Sequence, residues 1–203
     1  MISLRCWLLL GFFFCVLPAH ASTSCFDFSQ KSTKLLHAAP TKFESGKNPS
    51  NFGTDSRNND WGQVSGTVNK PILQLYEKLQ NPKTIRNSNN THVEVSNTET
   101  KDYLKLIRQQ ITIKPVFFIT VEWQEDWAFS LREGTPEKPA SIVVSYQKTD
   151  GTSHIKHLCG NILLQSLSPT TTGVYLYEEV QADRRSAEDV VNGITGTLRT
   201  LRE

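Results

Sequence analysis

The sequence has almost no excess of charge of either sign. Its 22 basic and 20 acidic side chains give a formal net charge of +2 at pH 7. A protein whose main task is to coat nucleic acid or an anionic membrane carries a strong basic excess. The near-neutral balance argues against both tasks, and we expect no nucleic-acid partner.

The sequence also lacks the short motifs of common catalytic and metal sites. It contains no G-x-S-x-G, no Walker loop, no C-x-x-C and no H-E-x-x-H. His154 and His157 are three residues apart on an expected strand, so their side chains point to opposite faces. His92 and Glu94 share a face, but a zinc site needs further ligands that this pattern does not supply. We therefore expect no catalytic residue, no metal site and no cofactor, and we favour a protein that is not an enzyme.

Long apolar runs are confined to the first residues of the chain. Arg5 precedes an apolar stretch from Trp7 to Leu17, which ends at Pro18. Ala19–Ala21 then places small residues at the two positions that a signal peptidase reads. We expect residues 1–21 to be a cleaved signal peptide, the protein to be secreted or periplasmic, and no stable membrane span to remain. An uncleaved membrane anchor is the alternative. A span needs roughly 18 apolar residues, and this stretch is shorter.

Cysteine is scarce once this leader is removed. Of the four cysteines, Cys6 and Cys15 leave with the leader, whereas Cys25 and Cys159 remain. A signal peptide implies an oxidising compartment, where a remaining pair favours a disulfide. We predict a bond between Cys25 and Cys159, and two unrelated thiols are the alternative.

The amino-acid composition of the chain changes near residue 60. Residues 22–60 are rich in small and polar side chains, which is typical of a flexible segment or long loop. We place a folded domain at residues 61–203. It opens with a short alternating strand at Val64–Val68, followed by a helix that begins at Pro71, and Lys83–Arg86 is a candidate for a second short helical turn.

Strand patterns dominate the middle of the chain. The clearest lies between residues 116 and 131, where Trp123, Trp127 and Phe129 share one face that is interrupted only by Glu125. Such alternation indicates a sheet with one covered face and one solvated face. The strand candidates are Thr91–Val95, Tyr103–Ile113, Val116–Leu131, Ala140–Gln147, His154–Leu167 and Gly173–Ala182.

A helix follows these strands. Ser186 and Asp189 have the spacing of a capping box. An apolar stripe follows at helical spacing, formed by Val190, Ile194, Leu198 and Leu201. Gly193 and Gly196 are poor helix formers. We expect another part of the protein to lie close against the helix backbone at these glycines.

The order of these elements resembles a known fold. Residues 64–85, 157–183 and 186–203 resemble the opening strand and helix, the last hairpin and the closing helix of the START-like (SRPBCC) superfamily. This superfamily includes START lipid-transfer domains, polyketide cyclases and plant pollen allergens. The resemblance implies an α+β helix-grip fold: a curved antiparallel β-sheet wrapped around a long C-terminal helix, with two short helices after the first strand. Asn161 and Gln165 are polar at positions of a strand where the family pattern has a continuous apolar wall. The alternative fold is an antiparallel sandwich that is capped at one end by the C-terminal helix.

The resemblance also implies a binding site. In this superfamily the ligand cavity lies between the concave face of the sheet and the C-terminal helix. The aromatic face would line that cavity opposite the apolar helix stripe, with one acid as the polar group. The implied ligand-binding residues are Trp123, Glu125, Trp127, Phe129, Ile194 and Leu198. The alternative is that these side chains simply fill a core.

The function implied by the resemblance is binding of a hydrophobic small molecule or lipid by an exported domain. A cyclase-like enzyme on the same fold is one alternative, and it would need a polar pair with shifted pKa values inside the cavity. A structural or partner-binding protein with a filled core is the other.

The leader generates the first testable prediction. Protein recovered from its native host should begin at Ser22, because Ala19 and Ala21 are the well-placed small pair after the apolar stretch. N-terminal sequencing measures this directly. Retention of Met1 would contradict both export and the compartment argument for the disulfide.

Overall fold

A computed structural model describes residues 24–82, 90–98, 100, 102–116 and 119–203 of the 203-residue chain. The expected leader and the expected turn at Lys83–Arg86 lie outside these residues. Eight strands and two helices are described here.

The eight strands form one antiparallel sheet. Its spatial order is β1-β2-β8-β7-β6-β5-β4-β3, so β1 and β3 are edges and the sheet is not closed. The helices α1 (Ile72–Leu79) and α2 (Ala187–Arg202) follow β2 and β8 respectively. The strands are β1 Ser50–Thr54, β2 Asp60–Val68, β3 Thr91–Thr98, β4 Lys105–Val116, β5 Ile119–Gly134, β6 Pro139–Gly151, β7 Ile155–Ser168 and β8 Thr171–Ala182.

This architecture confirms the expected fold class. The chain is an α+β protein in which a curved antiparallel sheet packs against a C-terminal helix. The six predicted strands correspond to β3 to β8, with bounds that differ by a few residues. Of the two expected short helices, α1 is present, and the second falls on residues that are not described.

The segment before β2 differs from the expected linker. Ser50–Thr54 forms an edge strand that pairs with β2, with Phe52 opposite Gly62. Leu35, Leu36 and Phe43 pack on the convex face of the sheet. Flexibility of residues 22–60 stays a prediction, but the segment has sheet contacts that a free linker lacks.

The polar positions in β7 explain how the segment is held. Asn161 faces the convex side, where its Oδ1 accepts a hydrogen bond from the backbone N–H of Leu36 at 2.6 Å. Its Nδ2 donates to Ser145 Oγ at 2.8 Å. Gln165 is exposed to solvent. Both polar side chains therefore point away from the concave side of the sheet, and neither interrupts the apolar face of β7 there.

The predicted disulfide is present. Cys25 and Cys159 are bonded, with their Cα atoms 6.4 Å apart, and the bond ties the N-terminal segment to β7. His157 and Glu179 lie beside it, with 2.8 Å between Nε2 and Oε1. Burial disfavours the charge on Glu179, but bonds from His157 and Tyr177 outweigh burial and lower the pKa of that carboxyl.

The backbone of α2 comes close to the sheet at a glycine of β2. A Cβ atom placed on Gly62 would lie 2.8 Å from the backbone nitrogen of Val191. The expectation that α2 is approached closely at its own glycines was wrong at Gly196, where an added Cβ atom would have no neighbour within 4 Å among the described residues. Gly193 instead leaves room for the guanidinium of Arg185, which would lie 3.2 Å from a Cβ atom added there.

The start of α2 matches its sequence signature. The backbone N–H of Asp189 donates to Ser186 Oγ at 3.2 Å, and the backbone N–H of Ser186 donates to Asp189 Oδ2 at 2.9 Å. This reciprocal capping box satisfies N–H groups that a helix start otherwise leaves unpaired. Within the described part of the chain, neither helix has the length and apolar character needed to cross a membrane.

The glycine contacts generate a matched pair of predictions. Gly62→Ala should lower the free energy of unfolding by about 1–3 kcal/mol, because the new methyl group meets backbone atoms of Val191. Gly196→Ala should raise it by about 0.5–1 kcal/mol, because the site is open and alanine favours a helix. Urea unfolding measures both changes, and a Gly62→Ala variant as stable as the parent chain would contradict the packing described.

Candidate functional site

A cleft of about 340 Å³ lies between the concave face of the sheet and α2. It exists because α2 packs mainly on β2, with further contacts to β1 and β8, and the sheet continues beyond the helix. Its wall comes from five strands, β4 to β8. The apolar side chains of this wall include Ile113, Trp123, Trp127, Ile155, Leu158 and Ile162. Ile194 and Thr197 line it from the helix.

Two tryptophans of β5 form the aromatic part of this wall. Trp123 and Trp127 are each 3% exposed. The ring of Trp127 stacks on Tyr146 of β6, with ring centroids 4.6 Å apart and an interplanar angle of 15°. Trp127 and Tyr146 are cross-strand neighbours in the sheet register, which places the two rings side by side on one face.

Both indoles are fixed by a carboxyl group between them. Glu125 is fully buried, and its two oxygens accept hydrogen bonds from Trp123 Nε1 at 2.7 Å and Trp127 Nε1 at 2.8 Å. Gln109 is its cross-strand neighbour in β4 and is also fully buried. The amide atoms of Gln109 have no hydrogen-bond partner among the described residues. A small buried polar cluster therefore lies beside the tryptophans and outside the lining of the cleft.

A second polar group lies at the edge of the cleft. Tyr146 donates its hydroxyl hydrogen to Glu178 Oε2 at 3.0 Å, and Arg185 Nη2 donates to Glu178 Oε1 at 3.0 Å. Gly193 of α2 gives the guanidinium room to reach this position. The side chain of Arg185 remains 31% exposed, whereas that of Glu178 is 12% exposed. An apolar cleft thus has hydrogen-bonding groups at its border with solvent.

The structure separates the six expected site residues into three groups. Trp123, Trp127 and Ile194 line the cleft. Glu125 binds the indoles and is not part of the lining. Phe129 and Leu198 belong to the core beside the cleft, where Phe129 meets Tyr76 edge to face.

Sequence reasoning missed the polar edge. Glu178 interrupts an apolar face of β8 that also carries Val174, Leu176 and Val180, all buried. The same signature, one acid on an apolar strand face, drew attention to Glu125. Applied to β8, it would have found Glu178. Arg185 lies in the turn before α2 and carries no such signal.

Comparisons with known proteins place the fold. No protein-family profile matches the sequence, and no curated protein sequence matches it significantly. The lipid transfer and protein localization domain of human StarD13 aligns with a TM-score of 0.56 and 9% identity, covering 86% of this chain and 89% of that domain. This alignment shows the START-like fold.

Two further solved structures align less closely. A STAR-related lipid transfer protein from Xanthomonas axonopodis has a TM-score of 0.48 at 12% identity, covering 75% of this chain and 96% of its own. The Zhui aromatase/cyclase from Streptomyces sp. R1128 has a TM-score of 0.43 at 12% identity, covering 70% of this chain and 85% of its own.

The indole–carboxyl contacts generate a prediction. Glu125→Gln should destabilise the protein by about 1–3 kcal/mol, because the amide group replaces one acceptor oxygen and leaves one buried indole N–H facing a donor. Glu122→Gln is the matched control, since Glu122 is exposed on the other face of β5 and should change stability by less than about 0.5 kcal/mol. Urea unfolding followed by tryptophan fluorescence measures both, and equal effects would contradict the role assigned to Glu125.

Proposed function

We propose that this chain binds a hydrophobic small molecule or lipid in the cleft between the sheet and α2. The observation that carries the proposal is a cleft of about 340 Å³ that is lined chiefly by apolar side chains, with a few polar groups at one edge. Small-molecule sites are typically concave, apolar and about 300–1,000 Å³ in volume. The START-like fold supports this position for a ligand, and the StarD13 domain is named for lipid transfer.

Affinity would come from burial of apolar ligand surface against the tryptophan wall. Burial contributes about 25 cal/mol per Å² of apolar area removed from water. The indoles of Trp123 and Trp127 are already held by Glu125, so little side-chain freedom is left to lose on binding. Glu125 therefore acts on the ligand through the rings it positions.

The polar edge would orient the ligand. Arg185 has N–H donors beyond the one used by Glu178, and Tyr146 places its oxygen on the same edge. A ligand with one polar end and an apolar body would place the polar end there and the body against the tryptophans. Export of this binding domain is part of the proposal, and the leader and the disulfide support it.

The two alternative functions make different demands on the cleft. A filled-core protein needs no open volume between sheet and helix, and the cleft disfavours that alternative. A cyclase-like enzyme needs acid–base groups in contact with substrate, and Tyr146 and Glu178 would have to supply them. Glu178 already accepts hydrogen bonds from Tyr146 and Arg185. Groups paired in this way are better suited to orient a ligand than to exchange protons with it, so we favour binding.

Blocking the cleft tests the proposal. The dye anilinonaphthalene sulfonate should bind the parent chain saturably, brighten, and be displaced by a long-chain fatty acid. Thr197→Trp places an indole in the cleft from α2 and should weaken dye binding by about tenfold or more. Stability should change by less than about 1 kcal/mol, because the site is open. Dye fluorescence and urea unfolding provide the measurements.

Two control variants separate the outcomes. Asn192→Trp adds the same side chain at an exposed position of α2 and should leave dye binding unchanged. Leu198→Trp replaces a fully packed residue and should cost about 1–3 kcal/mol of stability by overpacking. Unsaturable dye binding by the parent chain, or full binding by Thr197→Trp, would contradict the proposed site.

A further inference from the structure

Four side chains with metal-ligating atoms converge on the convex face of the sheet, on the side opposite the cleft. Cys25 comes from the N-terminal segment, His157 and Cys159 from β7, and Glu179 from β8. Their ligating atoms all lie within 4.8 Å of one another. The two cysteines form the disulfide, and the other two side chains lie outside the lining of the proposed cleft.

The spacing of these atoms matches a tetrahedral metal site. His157 Nε2 lies 3.5 Å from Cys25 Sγ and 3.4 Å from Cys159 Sγ. Glu179 Oε1 lies 3.8 Å from Cys25 Sγ and 3.4 Å from Cys159 Sγ. Ligand atoms around a tetrahedral Zn²⁺ with bonds of 2.0–2.3 Å are about 3.3–3.8 Å apart.

The other two distances between ligand atoms are shorter than in a tetrahedral site, because each joins two atoms that already bond to one another. One is the covalent bond between Cys25 and Cys159, and the other is the His157–Glu179 hydrogen bond at 2.8 Å. Reduction of the disulfide opens the first, and a cation placed between the imidazole and the carboxylate replaces the second. Small movements therefore suffice to complete the site.

The surroundings suit a bound cation and its ligands. Cys159 is fully buried, and the side chains of His157 and Glu179 are 12% and 8% exposed. Tyr177 donates its hydroxyl hydrogen to Glu179 Oε2 at 3.1 Å, and Arg57 lies 3.3 Å from Oε1. Two thiolates, one carboxylate and Zn²⁺ sum to one negative charge, which the guanidinium of Arg57 opposes. Such outer contacts orient metal ligands.

Contacts other than the disulfide also hold the segment around Cys25 against the sheet. The backbone N–H of Phe26 donates to Gln147 Oε1 at 2.9 Å, and Gln147 Nε2 donates to the carbonyl of Phe26 at 2.8 Å. Phe26 is buried, which holds the neighbouring residue against the sheet. Cys159 and Glu179 are cross-strand neighbours, so the two strands fix their separation.

We propose that Cys25, Cys159, His157 and Glu179 bind one Zn²⁺ when the disulfide is reduced, so that one position alternates between a disulfide and a metal site. A dithiol reductant gives two electrons and two protons to the disulfide and becomes a disulfide itself. The two new thiols release two protons to solvent as Zn²⁺ binds. A disulfide oxidant reverses this: it takes two electrons from the thiolates and two protons from solvent and becomes a dithiol. The two cysteine sulfurs rejoin, and Zn²⁺ leaves unchanged in charge.

Cobalt titration tests the site. The full chain carrying Cys6→Ser and Cys15→Ser keeps only the two relevant cysteines. After reduction by a phosphine and anaerobic removal of the reductant, one equivalent of Co²⁺ should give thiolate-to-cobalt charge transfer and tetrahedral d–d bands. One equivalent of Zn²⁺ should abolish both signals. The oxidised chain should give neither.

Single variants identify the ligands. In the same background, Cys159→Ser and His157→Ala should lose the tetrahedral cobalt spectrum, and Tyr177→Phe should weaken Zn²⁺ binding by about 10–100-fold. His154→Ala is the matched control, because that exposed histidine pairs with Asp183 and should leave binding unchanged. Circular dichroism checks that each variant is folded.

The titration of the parent background decides the proposal even if a variant does not fold. No thiolate charge transfer in the reduced chain, or an equal metal response in the oxidised chain, would overturn it. Dye binding in the cleft is a separate readout on the other face of the sheet, so the two proposals fail independently.

Discussion

The contact between α2 and β2 sets the geometry of the whole concave side. Gly62 has no side chain, so the backbone of α2 at Val191 occupies space that a Cβ atom on the strand would need. The helix is thereby held over β2 and its neighbours, while the curved sheet continues to β4 and β5. Close packing on one side leaves the cleft on the other, in front of Trp123 and Trp127.

The large side chains in the wall of that cleft are held by one another and by a buried acid. The two indole N–H groups are bound to one buried carboxyl, that of Glu125, and Trp127 also stacks on Tyr146. Rings fixed in this way do not turn into the space before them. These polar contacts thus fix the positions of the two rings in an apolar wall. Each contact also pairs a buried polar group that would destabilise the protein if it were left unpaired.

Sequence reasoning reached the fold, the disulfide and the aromatic face because each rests on a local pattern. Strand alternation places Trp123 and Trp127 on one face, whatever packs against them. The sequence could not predict which glycine lies against the helix, because such a contact depends on two elements and a sequence pattern describes only one of them. The strand Ser50–Thr54 was missed because an exposed edge strand has no buried alternation, and its stability comes from backbone pairing.

The central claim is that the cleft holds an apolar ligand, and the most direct test is to look for one that the protein retains. Protein purified from its native host without delipidation would be examined by native mass spectrometry, followed by extraction and identification of the released molecules. We expect a bound species with an apolar body and one polar end, present in the parent chain and absent from the Thr197→Trp variant. Protein that carries no bound molecule and takes none up from a lipid extract would contradict it.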